Sequence, residues 1–249
     1  MFKKYWKFFV IFWSVVLVGI IGVFVFFWLI SAGKLGFMPT FEELENPNNR
    51  FASEVYFADG PIMNRYFEKE NRKYIEYREI PQSVIDALIA TEDVRFYDHS
   101  GVDVRGLFRV AKGLLTANTS AGGGSTISQQ LAKMLFPRES DLNVFELAIR
   151  KFREWVIAVR LEKSYTKEEI LTMYLNKYDF LNLAVGISSA ADIYFQVPLD
   201  SLKVEQAAML IGMAKNSSYY NPVRRPELTL NRRNVVLSQM YKYDKITRE

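Results

Sequence analysis

Cysteine is absent from the 249 residues, which excludes a disulfide framework, thiolate metal sites and thiol catalysis. The single histidine, His99, excludes a His-rich metal cluster and any paired-histidine mechanism. Internal repeats and low-complexity segments are also lacking. Excess base is slight and badly placed for nucleic acid. Of the net charge of +4, Lys3, Lys4 and Lys7 supply three units before residue 33 with no acid opposite, which leaves +1 for the rest of the chain. A body so near neutral has no basic footprint, so nucleic acid is not an expected partner.

What the chain does have is one long uncharged run. Residues 8–30 carry no charge and are rich in Val, Ile, Phe and Trp. At about 1.5 Å rise per residue they cross a hydrocarbon core of roughly 30 Å. A cleaved signal peptide has a shorter apolar stretch, about 7–15 residues. The lysines before the run, set against Glu42, Glu43 and Glu45 after it, predict a cytoplasmic N-terminus. Trp6 and Trp28 fall near its two ends, where indoles favour the interface. The expected anatomy is a cytoplasmic stub and transmembrane helix over 1–33 and a polar linker over 34–50. A short strand-bearing segment over 51–80 and a main domain over 81–249 follow.

Asp59-Gly60 between Val55-Tyr56-Phe57 and Ile62-Met63 signals a hairpin, and Tyr74, Ile75 and Tyr77 predict a further short strand. From Pro81 the pattern turns helical. Val84, Ile85, Leu88 and Ile89 form an apolar stripe, Asp103 and Asp141 are placed to cap helices, and Thr166 with Glu169 makes a capping box. Further helices are expected near 183–194, 203–215 and 226–243. The fold class is mainly α with a small β appendage behind one N-terminal transmembrane helix.

Three segments carry residues fit for chemistry. Glu92 follows Leu88 and Ile89 by four and three residues, so it projects from the apolar stripe of its own helix. Desolvation there raises a carboxyl pKa and makes it a better proton acceptor near neutral pH, unless its head escapes to water. The second segment is Gly122-Gly123-Gly124-Ser125-Thr126, which leads into a helix whose unpaired N–H groups suit an anion. Ser125, Gln129 and Lys133 recur every four residues and predict one polar helix face, whereas a flexible loop before an ordinary helix is the plainer alternative. The third holds Arg150, Lys151 and Glu154, opposite an expected core stripe of Phe145, Ile149, Phe152, Val156 and Val159. A solvated ion pair explains Arg150 and Glu154 unless their face looks into a cleft. Two Ser-x-x-Lys matches, at Ser31 and Ser164, lack the Ser-x-Asn and Lys-Thr-Gly partners of penicilloyl-serine enzymes.

Together these segments resemble the peptidoglycan glycosyltransferases of glycosyltransferase family 51, the lysozyme-like module at the front of class A penicillin-binding proteins. The resemblance runs over about residues 81–243. Glu92-Asp93-x-x-Phe96-x-x-His99-x-Gly101-x-Asp103 is similar to the first family motif, the run from Gly124 to Lys133 to the second, and Arg150-Lys151-x-x-Glu154 to the third. Tyr165-x-Lys167 through Asn176 and Ala190-Ala191-x-x-Tyr194-Phe195 resemble the last two. Met134, the stretch Asp179-Phe180-Leu181-Asn182 and the pair Gln196-Val197 depart from the family pattern.

The resemblance implies an inverting transfer from lipid II to a growing glycan chain, with release of undecaprenyl pyrophosphate. Glu92 would be the base and Glu154 the second acidic residue. Lys133, Arg150 and Lys151 would meet the pyrophosphate, while Ser125, Thr126, Gln129, Gln130, Asp93, Phe96 and His99 would complete the substrate site. No dedicated metal cage is visible, so no cofactor is required and Mg²⁺ or Mn²⁺ would enter only as an optional ion. Partners would be lipid II, the growing chain, the membrane and other cell-wall synthesis proteins. The domain would face outward from the inner (cytoplasmic) membrane as a single-pass protein, either a longer bifunctional protein cut short of its transpeptidase part or a monofunctional enzyme. A lysozyme-like hydrolase or lytic transglycosylase and a non-catalytic membrane-tethered scaffold are the alternatives.

Overall fold

The structure, a computed structural model, describes residues 2–40, 53–56, 62–66, 71–116, 123–135 and 143–247. The hairpin turn at Asp59-Gly60, the cap expected of Asp141, Gly122 and most of the linker lie outside them. Helix α1 spans Phe2–Ser31. Strands β1 (Ser53–Tyr56) and β2 (Ile62–Tyr66) pair antiparallel, with a register shift between Val55 and Tyr56. The further strand is not the expected one. β3 is Asn71–Arg72, paired in parallel with β4 (Ala184–Val185), whereas Tyr77–Glu79 is a 3-10 turn closed by reciprocal bonds between Glu76 and Glu79. The buried Asn176 amide takes both backbone polar groups of Ile75, which leaves that stretch nothing to offer a neighbouring strand.

The helices are α2 (Gln82–Glu92), α3 (Val104–Leu115), α4 (Ile127–Leu135), α5 (Val144–Ser164), α6 (Lys167–Lys177), α7 (Ile187–Phe195), α8 (Val204–Met213) and α9 (Pro226–Lys242). One core joins α2, α4, α6, α8 and α9 through Val84, Leu88, Leu131, Leu171, Tyr174, Ile211 and Val236, all fully buried. Asp103 accepts from Gly106 N–H at the head of α3, and Thr166 caps α6 with Glu169 as expected. Asn143 caps α5, since it stands three residues before Glu146 and completes a capping box.

The expected core stripe of α5 is partly overturned. Phe145 is 70% exposed, and the face that enters the core holds Arg153, Ile157, Ala158 and Leu161. Phe152 instead meets α1, its ring 5.3 Å from Phe26 and 5.7 Å from Phe27. Arg160 of α5 donates to the Ser31 carbonyl and hydroxyl and to the Pro39 carbonyl, so a cation closes the negative end of α1. Burial there draws the Arg160 guanidinium below its ordinary value. The apolar N-terminal helix is long enough to cross a membrane and is docked on the helix that carries Lys151 and Glu154.

Gly101 is fixed by this packing. Its φ is +97°, and a Cβ would stand 2.7 Å from the Ala158 carbonyl carbon in α5. Gly101→Ala is expected to cost about 1–3 kcal/mol through backbone strain and overpacking, read as a lower denaturant midpoint in detergent. An unchanged midpoint would contradict this close approach.

Candidate active site

Helix α2 ends at Glu92, and the residue after it organises the surroundings. Asp93 is buried and accepts from the Ile127 N–H at the start of α4 and from His99 Nε2 at 3.0 Å. His99 Nδ1 accepts from Gly101 N–H, which leaves the ring proton on Nε2, aimed at Asp93. Thr126 Oγ1 donates to the Gly101 carbonyl at 2.6 Å and accepts from Gln129 N–H, which caps α4. Lys167 seals the other side. Its ammonium bonds Glu162 and the His99 carbonyl and lies 4.3 Å from the Phe96 ring centroid. Asp93, His99, Thr126 and the fully buried Phe96 thus build a bonded frame, and Asp93 and Thr126 also line a small pocket beside Glu92 and Ser125.

Glu92 itself lines an open groove of about 710 Å³, with Thr91, Val94, Gly123, Gly124, Ser125, Gln130 and Val235. Its two oxygens are held separately. Gln130 Nε2 donates to one at 2.9 Å and Arg232 to the other at 3.1 Å. Gln130 in turn accepts from the Tyr174 hydroxyl at 3.0 Å. Burial, and then the Glu92 charge, push the Tyr174 phenol well above its ordinary value, so it stays a donor. Burial raises the stacked Tyr178 to about 12. Arg109, Lys215, Arg232 and Lys242 supply the positive charge of the groove.

Ser125 connects this groove to α5. It accepts from Lys151 Nζ at 3.0 Å, and Lys151 pairs with Glu154 at 2.8 Å. The i, i+4 face expected of α4 does not form the site. Gln129 is buried and turned to the Gly101 carbonyl, and Gln130 takes the place beside Glu92. Lys133 is exposed and Arg150 half-buried, and neither is among the described lining residues of the groove. Sequence reasoning missed Arg232. It lies 140 residues from Glu92 within a helix that holds Arg233 as well, and no local pattern separates the two. Among the described residues no three His, Cys, Asp or Glu side chains gather as a metal set, and Glu154 and Asp93 are already engaged by Lys151, His99 and Ile127 N–H. This donor set does not fit a resident divalent ion, and no step below passes through one.

Asp103 couples the first motif to α3, since it also binds Arg95 through both carboxylate oxygens. Burial opposes its charge, but bonds from Arg95 and Gly106 N–H outweigh that and hold the carboxyl below its ordinary value of 3.8. A carboxyl depressed on folding adds stability above its unfolded value and loses it as pH falls through the folded one. The melting temperature of the wild type should therefore exceed that of Asp103→Asn by its full margin at neutral pH. The margin should shrink as pH falls below 3.8. A constant margin through that window would contradict the bond pattern.

With this geometry in hand, comparison with known proteins is direct. A family model described as Transglycosylase matches residues 59–241. Penicillin-binding protein 1A of Escherichia coli (strain K12) is 37% identical over 212 residues, which is 85% of this chain and 24% of that protein. Penicillin-binding protein 1A of Pseudomonas aeruginosa is 38% identical over 205 residues, 82% of this chain and 24% of that protein. The chain thus spans about a quarter of the length of these curated relatives. The crystal structure of penicillin-binding protein 1A from Haemophilus influenzae aligns with 81% of this chain and 19% of that one, at 22% identity and a TM-score of 0.43, a likeness that adds no weight. By the extent of the family match, the chain belongs to the transglycosylase family, the glycosyltransferase module its motifs resemble.

Proposed function

We propose that the chain is a membrane-anchored peptidoglycan glycosyltransferase that polymerises lipid II into β-1,4 glycan strands. The observation that carries this reading is the Glu92 carboxylate, 14% exposed, held by Gln130 and Arg232 and opening on a groove whose other cations are Arg109, Lys215 and Lys242. In the proposed step Glu92 accepts the proton of the acceptor 4-hydroxyl as that oxygen bonds to the anomeric carbon of the growing chain. The bond from that carbon to the pyrophosphate breaks, undecaprenyl pyrophosphate leaves with the electron pair, and the configuration inverts from α to β.

The leaving group carries negative charge, and a groove that neutralises it lowers the barrier. Lys151, presented through Ser125, and Arg109 are the first cations for that role. Arg150 stands beside Lys151 on α5, and Lys133 lies on the exposed side of α4; both are proposed as outer ligands of the pyrophosphate. Glu154 holds the Lys151 ammonium in place. Helix α1, with its lysines on the cytoplasmic side, keeps the groove near the bilayer from which both substrates hang.

Labelled lipid II supplied alone tests the reading. The wild type should give polymer and free undecaprenyl pyrophosphate, and Glu92→Gln should lose a factor of about 10²–10⁴ in rate while keeping its melting temperature. Wild-type turnover in Glu92→Gln would remove the carboxylate from the chemistry. Soluble muropeptides released from preformed wall, with no polymer, would make the protein a hydrolase or lytic transglycosylase.

A further inference from the structure

Arg232 donates to one Glu92 oxygen at 3.1 Å and is itself firmly held. The Arg232 side chain is 11% exposed. Its Nε donates to the Gly212 carbonyl at 3.4 Å, and its Cζ lies 5.8 Å from the Tyr220 ring centroid. α8 and α9 approach so closely here that a Cβ on Gly212 would stand 3.2 Å from Arg232 Cγ. The guanidinium thus has a carbonyl, an aromatic face and a neighbouring helix to fix it, and its Nη2 donates to Glu92.

The second oxygen of Glu92 is fixed from the opposite wall by Gln130, itself held by the buried Tyr174 hydroxyl. A carboxylate with one donor on each oxygen cannot rotate without breaking a bond, and each oxygen keeps a lone pair for an incoming hydroxyl. The two donors come from helices that are far apart in sequence, α4 and α9, and they meet only across the end of α2.

We propose that Arg232 is the positioning residue of the Glu92 carboxylate: together with Gln130 it holds the base aimed into the groove before substrate arrives. This rests on Glu92 being the proton acceptor. Arg232 acts through Glu92 and not as a ligand of the pyrophosphate. Its loss therefore affects turnover and leaves substrate binding nearly intact, because misplacing a catalytic group by about 1 Å can cost about 10²-fold in rate.

The test uses the full chain in detergent with labelled lipid II, with kcat and KM measured for each variant and Kd measured by titration. Arg232→Gln should lower kcat about 10²-fold with KM and Kd within about threefold of wild type. Arg232→Lys, which keeps the charge but not the planar fork, should recover about tenfold of that loss. If Arg232→Gln fails to fold, Arg232→Lys alone should still show reduced kcat at unchanged KM. A KM and Kd that weaken in step with the rate would make Arg232 a substrate ligand and overturn the proposal, as would wild-type kcat in both variants. Either result would leave the Glu92 reading standing provided Glu92→Gln is inactive. Active Glu92→Gln would bring down both.

Discussion

The bond from Ile127 N–H to the buried Asp93 carboxylate is the constraint on which the site depends. It ties the last turn of α2 to the first turn of α4, so Glu92 and Gln130 cannot drift apart. A carboxylate also suits that place electrostatically, since a helix N-terminus carries partial positive charge. His99 completes the arrangement by donating its one ring proton to Asp93, while its other nitrogen accepts from Gly101. Gly101 in turn can lie against α5 only because it has no side chain. Within the first motif Asp93, Phe96 and His99 thus form a bonded scaffold, while Glu92 and Val94 line the groove.

A second feature is the continuity between anchor and site. α5 meets α1 through Phe152 and Arg160 and meets the Gly-rich turn through Lys151 and Ser125. One helix thus links the apolar N-terminal element to the cationic edge of the groove.

Much of this was legible in the residues. The α2 stripe from Val84 to Ile89 is buried as its period requires, and Asp103 and Thr166 cap as their positions require, because these are local effects that neighbours three and four residues away decide. The phase of α4 was not legible. Spacing placed Gln129 with Ser125 and Lys133, but Gln129 is buried against Gly101 while Lys133 is exposed, and Gln130 is the residue beside Glu92. Phe145 read as core from periodicity alone, yet the first turns of α5 are exposed, so an apolar pattern there did not indicate burial. Arg232 had no signal, since its role exists only once α8 and α9 have packed against α2. The cations assigned from motif order, Lys133 and Arg150, share that difficulty: order along the chain does not say which side chains face one groove.

The most direct measurement is a structure of the chain with a non-transferable lipid II analogue in the acceptor position. The 4-hydroxyl oxygen should lie within hydrogen-bond reach of a Glu92 carboxylate oxygen, about 2.6–3.2 Å, with the pyrophosphate among the groove cations. A 4-hydroxyl lying away from Glu92, with that carboxylate still closed between Gln130 and Arg232 and turned from the sugar, would contradict it.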